Sequence, residues 1–290
     1  VGKSISRLSG INLPNRARVL YAPADYQSPR FFQGVEYALK SAGSVYGKTL
    51  DALSAREGLV PYDVFESITG SPAKRTGHLS PKTIFERLLQ HAIVGEIEGA
   101  QLGRLVRVNP DICPAVASVA RLRGRMLAER LCLLGLKEWA RKTGLCSYDR
   151  VTIRGDTETP EFGTTRWDLV GPSYVSPLID FDKGKRVLPG FIVADVCLGI
   201  SLAPAAIEYF HHKVSHLRNA RAKRFLAVLV GDFSPEAFRT RTRSQCLFLS
   251  PDTLFGKSVA DALLTLARTV EHAGAVAAKN PEQLDVLLDT

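Results

Sequence analysis

Apolar residues in the first 110 positions recur mostly at helical spacing. Phe31, Phe32, Val35 and Leu39, with Ala42 beyond them, follow Pro29 and predict a helix. Val45, Leu50 and Leu53 predict a second from Ser44 to Ala55, and Gly58 breaks the pattern. Residues 61–68 read as a short helix with Pro61 in its first turn and Val64, Phe65 and Ile68 on one side. After a polar loop, Ser80 supplies a cap and Pro81 a first-turn residue for a helix that places Ile84, Phe85, Leu88, Leu89 and Ala92 in one stripe. The period then changes. Residues 96–98 and 105–108 are strand-like on either side of a glycine-containing turn at 99–103, which predicts a hairpin over about 95–108. The first thirty residues are irregular apart from a short strand at 18–21.

Asn109–Pro114 reads as a boundary, and a long helix is predicted from Ala115 to Lys142, with Leu122, Met126, Leu127, Leu131, Leu134 and Trp139 as its stripe and Gly144 at its end. Beyond it the rhythm is that of strands, at 150–154, 165–170, 191–198, 225–230 and 246–249. Helices are predicted between the last three, at 204–219 and 234–242, then at 258–273 and from Pro281 onward. The order implies a mixed α/β fold in two domains, 1–110 and 115–290, the second built on a mixed sheet flanked by helices.

Composition narrows the class. The 290 residues hold ordinary proportions of hydrophobic (45%) and charged (23%) side chains. No apolar run approaches the roughly 18 residues of a membrane span. Val1–Gly10 has basic residues without the apolar run of a signal peptide. Five scattered cysteines without a CxxC pair argue against a disulfide framework or zinc knot, and a reducing cytoplasm is expected. Neither a phosphate loop, a GxGxxG turn, nor a GxSxG elbow occurs. The net charge is +9, and residues 1–110 carry 14 Lys and Arg against 9 Asp and Glu, so a polyanion is the natural partner.

A helix that reads the major groove hides one side and shows short polar or basic side chains on the other. The 81–92 segment offers Lys82, Thr83, Arg87, Gln90 and His91. Lys74 and Arg75 in the preceding loop are placed to meet phosphates, and Arg104 and Arg107 on the hairpin to meet backbone or minor groove. In this succession of helix, loop, capped helix and hairpin, Pro61–Val108 resembles winged-helix domains, with the hairpin as the wing; that resemblance implies DNA binding. A solvated basic face, or a protein–protein adaptor, is the plainer alternative.

The second half holds two strand aspartates, Asp168 within GTTRWDLV and Asp195 within LPGFIVADVCL. An aspartate inside a sheet is costly unless paired, hydrogen-bonded or bound to a cation. On neighbouring strands the two could share a Mg²⁺ ion, which would polarise a phosphate and activate water. The order of helix, three strands, helix, strand, together with these acids, resembles the PD-(D/E)xK nuclease family of restriction and repair enzymes. The resemblance implies metal ligation by Asp168 and Asp195, with Glu129 or Glu138 as a helix acid. The chain departs from the family where its lysine should stand, two positions after the second acid: Cys197 is there. Lys213 on the following helix is the substitute, with Lys183 and Lys185 behind it. The competing reading is of aspartates that accept backbone or arginine hydrogen bonds, with Arg166 close in sequence. His211, His212 and His216, without a third ligand or an HExxH pattern, read as a basic helix surface together with Lys213, Arg218, Arg221, Lys223 and Arg224. Two readings stay open: a Mg²⁺-dependent DNA endonuclease, which a two-fold homodimer would suit, and a non-catalytic DNA-binding regulator or assembly protein on a degenerate nuclease fold.

Overall fold

The computed structural model describes residues 5–73, 77–99, 101–147, 149–156, 159–183, 186–219, 224–244 and 246–279. In chain order these form α1 (Pro29–Ser41), α2 (Val45–Ser54), β1 (Leu59–Pro61), α3 (Tyr62–Ile68), α4 (Pro81–Gln90), β2 (Val94–Gly99) and β3 (Gly103–Val108). There follow α5 (Val119–Lys142), β4 (Thr152–Ile153), β5 (Leu169–Ser173), β6 (Gly190–Leu202), α6 (Glu208–Asn219), β7 (Phe225–Phe233), α7 (Pro235–Arg239), β8 (Leu247–Leu249), α8 (Pro251–Phe255) and α9 (Lys257–Lys279).

Serines start most of the helices. Ser28, Ser44, Ser80, Ser118, Ser234 and Ser250 each accept a hydrogen bond from the backbone N–H three residues on. That satisfies one of the donors every helix N-terminus leaves open. Before α1, α4, α7 and α8 the serine is followed by proline, whose fixed φ and missing N–H suit the first helical position.

The chain divides into two compact units, each with its own core. Unit 1 gathers Val1–Val116, Gly163–Arg166 and Leu202–Arg221; unit 2 gathers Ala117–Phe162, Trp167–Ser201 and Ala222–Thr290. Segment 202–221, with α6, thus packs with the N-terminal residues rather than with its sequence neighbours.

In unit 1, α3 and α4 bury Val64, Phe65, Ile68, Ile84, Phe85 and Leu88. The sheet is ordered β1-β3-β2, with antiparallel pairing throughout. The hairpin forms in the register the alternation implied, Val94 facing Val108 and Gly99 facing Gly103. Strand β1 was not legible: it is three residues long, too short for an alternating pattern. Its Pro61 is tolerated because β1 lies at the sheet edge. Pro61 is also the N-cap of α3 rather than part of its first turn.

Unit 2 is mixed α/β, a five-stranded sheet ordered β8-β7-β6-β5-β4 with helices against it. Strands β4, β5 and β6 form an antiparallel meander, while β8 runs parallel to β7. Helix α5 covers one sheet face through Ala128, Cys132, Leu133, Leu136 and Ala140, against Ile153, Leu169, Ile192, Ala194 and Val196. This corrects the expected stripe: Leu127, Leu131 and Leu134 are exposed, although Leu122 is buried. The buried side is the one rich in small residues, because close approach of backbones outweighs the area of any single leucine. Gly124 shows this most clearly; a Cβ there would stand 2.2 Å from the Ala267 carbonyl oxygen of α9. The partly buried Leu249, Leu254 and Phe255 pack on the same core. The helix predicted from Pro281 lies outside the described residues.

Candidate functional site

Two places bring together the polar residues singled out above: the outward side of α4 with the hairpin in unit 1, and a row of charges across the sheet of unit 2.

Helix α4 buries Pro81, Ile84, Phe85 and Leu88 and leaves Lys82, Glu86, Leu89 and Gln90 exposed. Lys82 stands 3.9 Å from Glu86, a loose exposed pair. Thr83 is half-buried, its Oγ1 2.9 Å from the Ser80 hydroxyl. Arg87 turns inward and donates to the Tyr46 hydroxyl at 2.9 Å, while Gln90 Nε2 donates to Ser9 Oγ at 3.4 Å. His91 is not on the open side. It is buried, with Nε2 2.8 Å from the Ser9 carbonyl oxygen. Arg104 is ion-paired with Glu96, its guanidinium 4.0 Å from the centre of the Tyr62 ring. Its pKa is raised, chiefly by the hydrogen bond to Glu96. Arg107 is exposed on β3. Leu89, expected in the buried stripe, is on the open side; Lys74 and Arg75 lie outside the described residues.

In unit 2 the strand register sets up the second place. The last pairs of the meander are Ile153 with Leu169 and Leu169 with Ala194. One residue beyond these pairs come Arg154, Asp168 and Asp195, linked by backbone bonds from Arg154 N–H to the Asp168 carbonyl oxygen and from Asp168 N–H to the Ala194 carbonyl oxygen. Asp168 therefore stands just before β5, not inside a strand, because the predicted 165–170 strand is broken between Arg166 and Leu169.

Beyond this row β6 outruns β5. Its next N–H groups on that side have no strand to meet, and buried donors must be satisfied. Two carboxylates serve instead. Val196 N–H donates to Asp168 Oδ2 at 2.8 Å, and Leu198 N–H donates to Glu129 Oε1 at 3.4 Å. Arg154 joins the two carboxylates, with Nε 2.7 Å from Asp168 Oδ1 and Nη2 3.0 Å from Glu129 Oε2. Asp195 Oδ1 accepts from the Asp168 N–H at 3.3 Å. All four side chains are buried, Asp195 at 1% exposure and Arg154 at 8%. Arg130 donates to the Arg154 carbonyl oxygen and pairs with Asp156 at 2.9 Å, which fixes the turn after β4. Burial pushes the Asp156 carboxyl upward, but Arg130, the Ile153 N–H and Lys137 together hold it below the usual range.

The arginine partner is thus Arg154, not Arg166, which instead pairs with Glu66. Of the two helix acids, Glu129 joins the row and Glu138 is exposed beside Arg141. Cys197 is buried. Burial, then Glu129 and Asp168, pushes the Cys132 thiol up to about 12. Lys213 belongs to unit 1, fully buried, and donates to Ser67 Oγ at 3.0 Å. Lys183 is exposed, and Lys185, Arg221 and Lys223 lie outside the described residues.

Would these residues accept Mg²⁺? As disposed they do not fit it: both Asp168 oxygens are engaged, Oδ1 by the Arg154 guanidinium and Oδ2 by the Val196 N–H. Among the described residues no three His, Cys, Asp or Glu side chains form a group able to hold a metal ion. The signal that would have found Arg154 was its register with Asp168, which requires knowing the strand pairing.

The expected basic surface on α6 is likewise corrected. His211, Lys213 and His216 are buried while Arg218 is exposed, because α6 packs into unit 1 through Tyr209, Phe210, Val214 and Leu217. Nε2 of His212 and Nε2 of His216 are 3.1 Å apart, and the His78 ring meets His216 edge-on at 4.6 Å between centroids.

No protein-family model matches the chain, and no curated protein matches it. Among solved structures it is similar to the MspJI restriction endonuclease in complex with a 27-mer oligonucleotide, at 16% identity over 57% of this chain and 36% of that one, with a TM-score of 0.29. It is also similar to protein VC1899 from Vibrio cholerae, at 11% identity over 84% of this chain and 58% of that one, TM-score 0.28. A third is the DNA modification-dependent restriction endonuclease AspBHI, at 11% identity over 75% of this chain and 62% of that one, TM-score 0.24. The chain spans less than two thirds of each of these proteins. Overlaps so partial leave the chemistry of this chain to its own residues, which form a mixed α/β protein with a central mixed sheet flanked by helices.

Proposed function

We propose that this chain is a DNA-binding regulator or assembly protein, in which α3, α4 and the β2–β3 hairpin act as a winged helix. On this reading unit 2 is a restriction-endonuclease-like domain whose acidic row serves structure rather than catalysis. The observation that carries the DNA reading is the construction of α4. It is capped by Ser80, buried on its apolar side, open at Lys82 and Gln90, and followed by a hairpin that exposes Arg107. In a chain of net charge +9, such a surface suits the phosphate backbone. Lys82 and Arg107 contact phosphates, Thr83 and Gln90 lie nearer the bases, and Arg87 and Arg104 brace the helix and wing through Tyr46, Tyr62 and Glu96. The cation Arg154, already inserted between Glu129 and Asp168, supports the non-catalytic role.

A second reading, the Mg²⁺-dependent endonuclease, is favoured by the burial of three acids, Glu129, Asp168 and Asp195, in one region of unit 2. It requires a divalent ion to displace Arg154 from Asp168.

Fluorescence anisotropy with a labelled duplex separates these from a chain that does not bind DNA. We expect binding that weakens steeply between about 50 and 200 mM salt. Lys82→Ala with Arg107→Ala should flatten the salt dependence by about two units of slope, one per phosphate contact. Binding insensitive to salt and to this pair overturns the DNA reading. Plasmid nicking in Mg²⁺ or Mn²⁺ that disappears in both Asp168→Ala and Asp195→Ala replaces the first reading with the second.

A further inference from the structure

Unit 1 holds a cavity of about 340 Å³ that neither reading uses, lined by the segment 18–22, by Asp25 and by α1. Its size falls at the lower end of small-ligand pockets, roughly 300–1,000 Å³. Leu20 and Tyr21 line it from the first segment and Gly34 from the helix. The buried Phe31 meets the Tyr21 ring edge-on at 5.1 Å between centroids, and Tyr26 stacks on Tyr21 at 5.4 Å. The Tyr21 ring is thereby held in place.

Two features mark it for a ligand. Arg18 and Arg30 line it from separate segments; both are exposed, and among the described residues neither forms a hydrogen bond or ion pair. Residues 5–34 carry four arginines against the single acid Asp25, so the excess there is positive. Gly34 is the second feature. It lies inside a 13-residue helix, where glycine is less favourable than alanine, yet a Cβ there would meet nothing within 4 Å. Packing therefore does not require this glycine, whereas a ligand seated against the helix backbone does.

We propose that this cavity binds one nucleotide unit, a nucleoside monophosphate, with its base packed on Tyr21 and Leu20 beside Gly34 and its phosphate held by Arg18 and Arg30. Aromatic rings stack on any base, and guanidinium groups match the oxygens of a phosphate. Asp25 accepts from a donor on the base or sugar and opposes a second phosphate. The unit comes either from a free mononucleotide or from an unpaired nucleic-acid strand. The surroundings favour the strand. Leu20 and Tyr21 pair with Arg7 and Ser6, and the nearby Ser9 bonds to Gln90 and His91 at the end of α4. An unpaired strand in the cavity thus continues the surface proposed for duplex contact, and this choice of source rests on that DNA reading.

The test is isothermal titration of the intact chain with thymidine monophosphate and with a short 5′-phosphorylated oligothymidylate. We expect both to bind, the oligonucleotide more tightly and with an affinity that falls as salt rises. Gly34→Leu fills the cavity from a helix position with open space around it. It should weaken both probes by about tenfold, the loss of one stacked base, without lowering the melting temperature. Arg30→Gln should weaken both severalfold and flatten the salt slope by about one unit. Blunt duplex, contacted through Lys82 and Arg107, should bind Gly34→Leu as it binds the unaltered chain, so failure of the duplex reading leaves this result readable. Equal affinity for the two probes assigns the cavity to free nucleotides, and binding of the oligonucleotide alone, with the same sensitivities, assigns it to strands. No binding of either probe, or binding unchanged in either variant, overturns the assignment.

Discussion

The two units bury polar groups in opposite ways. In unit 2 the buried charges close on one another: Glu129, Arg154 and Asp168 form a chain whose remaining oxygens cap strand N–H groups. In unit 1 the partly buried His212 faces the His216 ring at 3.1 Å and leaves its own Nδ1 unmatched. A closed network is costly to break because each member is held by the others, and removing one leaves an uncompensated charge. An incompletely satisfied imidazole responds instead to protons. Both tryptophans, Trp139 and Trp167, fall in unit 2, so tryptophan fluorescence reads that unit alone.

The hardest test of this contrast is Arg154→Met. It strands Glu129 and Asp168 in the interior, and we expect a loss of about 3–5 kcal/mol in the denaturant unfolding followed by tryptophan emission. A loss under about 1 kcal/mol would mean that the carboxylates are not held by this arginine. Next in size is Gly124→Ala. With the Ala267 carbonyl oxygen in the way, α5 and α9 must separate, at a cost of about 1–3 kcal/mol by the same measurement. An unchanged midpoint would contradict the close approach.

Unit 1 should respond to pH. The folded-state pKa of His212 is depressed, from the ordinary 6.5 to about 3, so between those values the unfolded chain holds more protons. Stability from neutral His212 is complete above about pH 6.5 and falls as pH is lowered toward 3, by on the order of 1 kcal/mol per pH unit. The facing groups, His216, Lys48 and His78, repel the same proton. Melting of unit 1 between pH 7 and 4, followed by tyrosine signal, should flatten in His212→Gln; a profile unchanged by that substitution would assign the pH dependence elsewhere. The smallest effect is Ser80→Ala, which removes the α4 cap and should cost about 1 kcal/mol. Thermal melting can resolve it, and no change would mean that solvent satisfies the Thr83 N–H equally well.

Much of the local structure was legible because it depends on neighbours in sequence. Ser80-Pro81 announced α4, the strand-like segments within 95–108 announced the hairpin, and the two aspartates stood out by their apolar flanks. The long helix was legible in extent but not in facing. Leucines lie on several of its sides, and the buried one was chosen by how closely Gly124, Ala128 and Cys132 let other backbones approach.

Partnerships across the fold were not legible. Arg154 and Asp168 meet because two short strands pair in one register, and no spacing along the chain encodes that pairing. His78 meets His216 because segment 202–221 packs into unit 1 rather than with the strands that flank it. The sequence by itself determined where helices start, which segments alternate and which polar residues carry unusual cost. Tertiary structure decided which charges neutralise one another and which remain open, because burial and pairing depend on distances that only the packed chain defines.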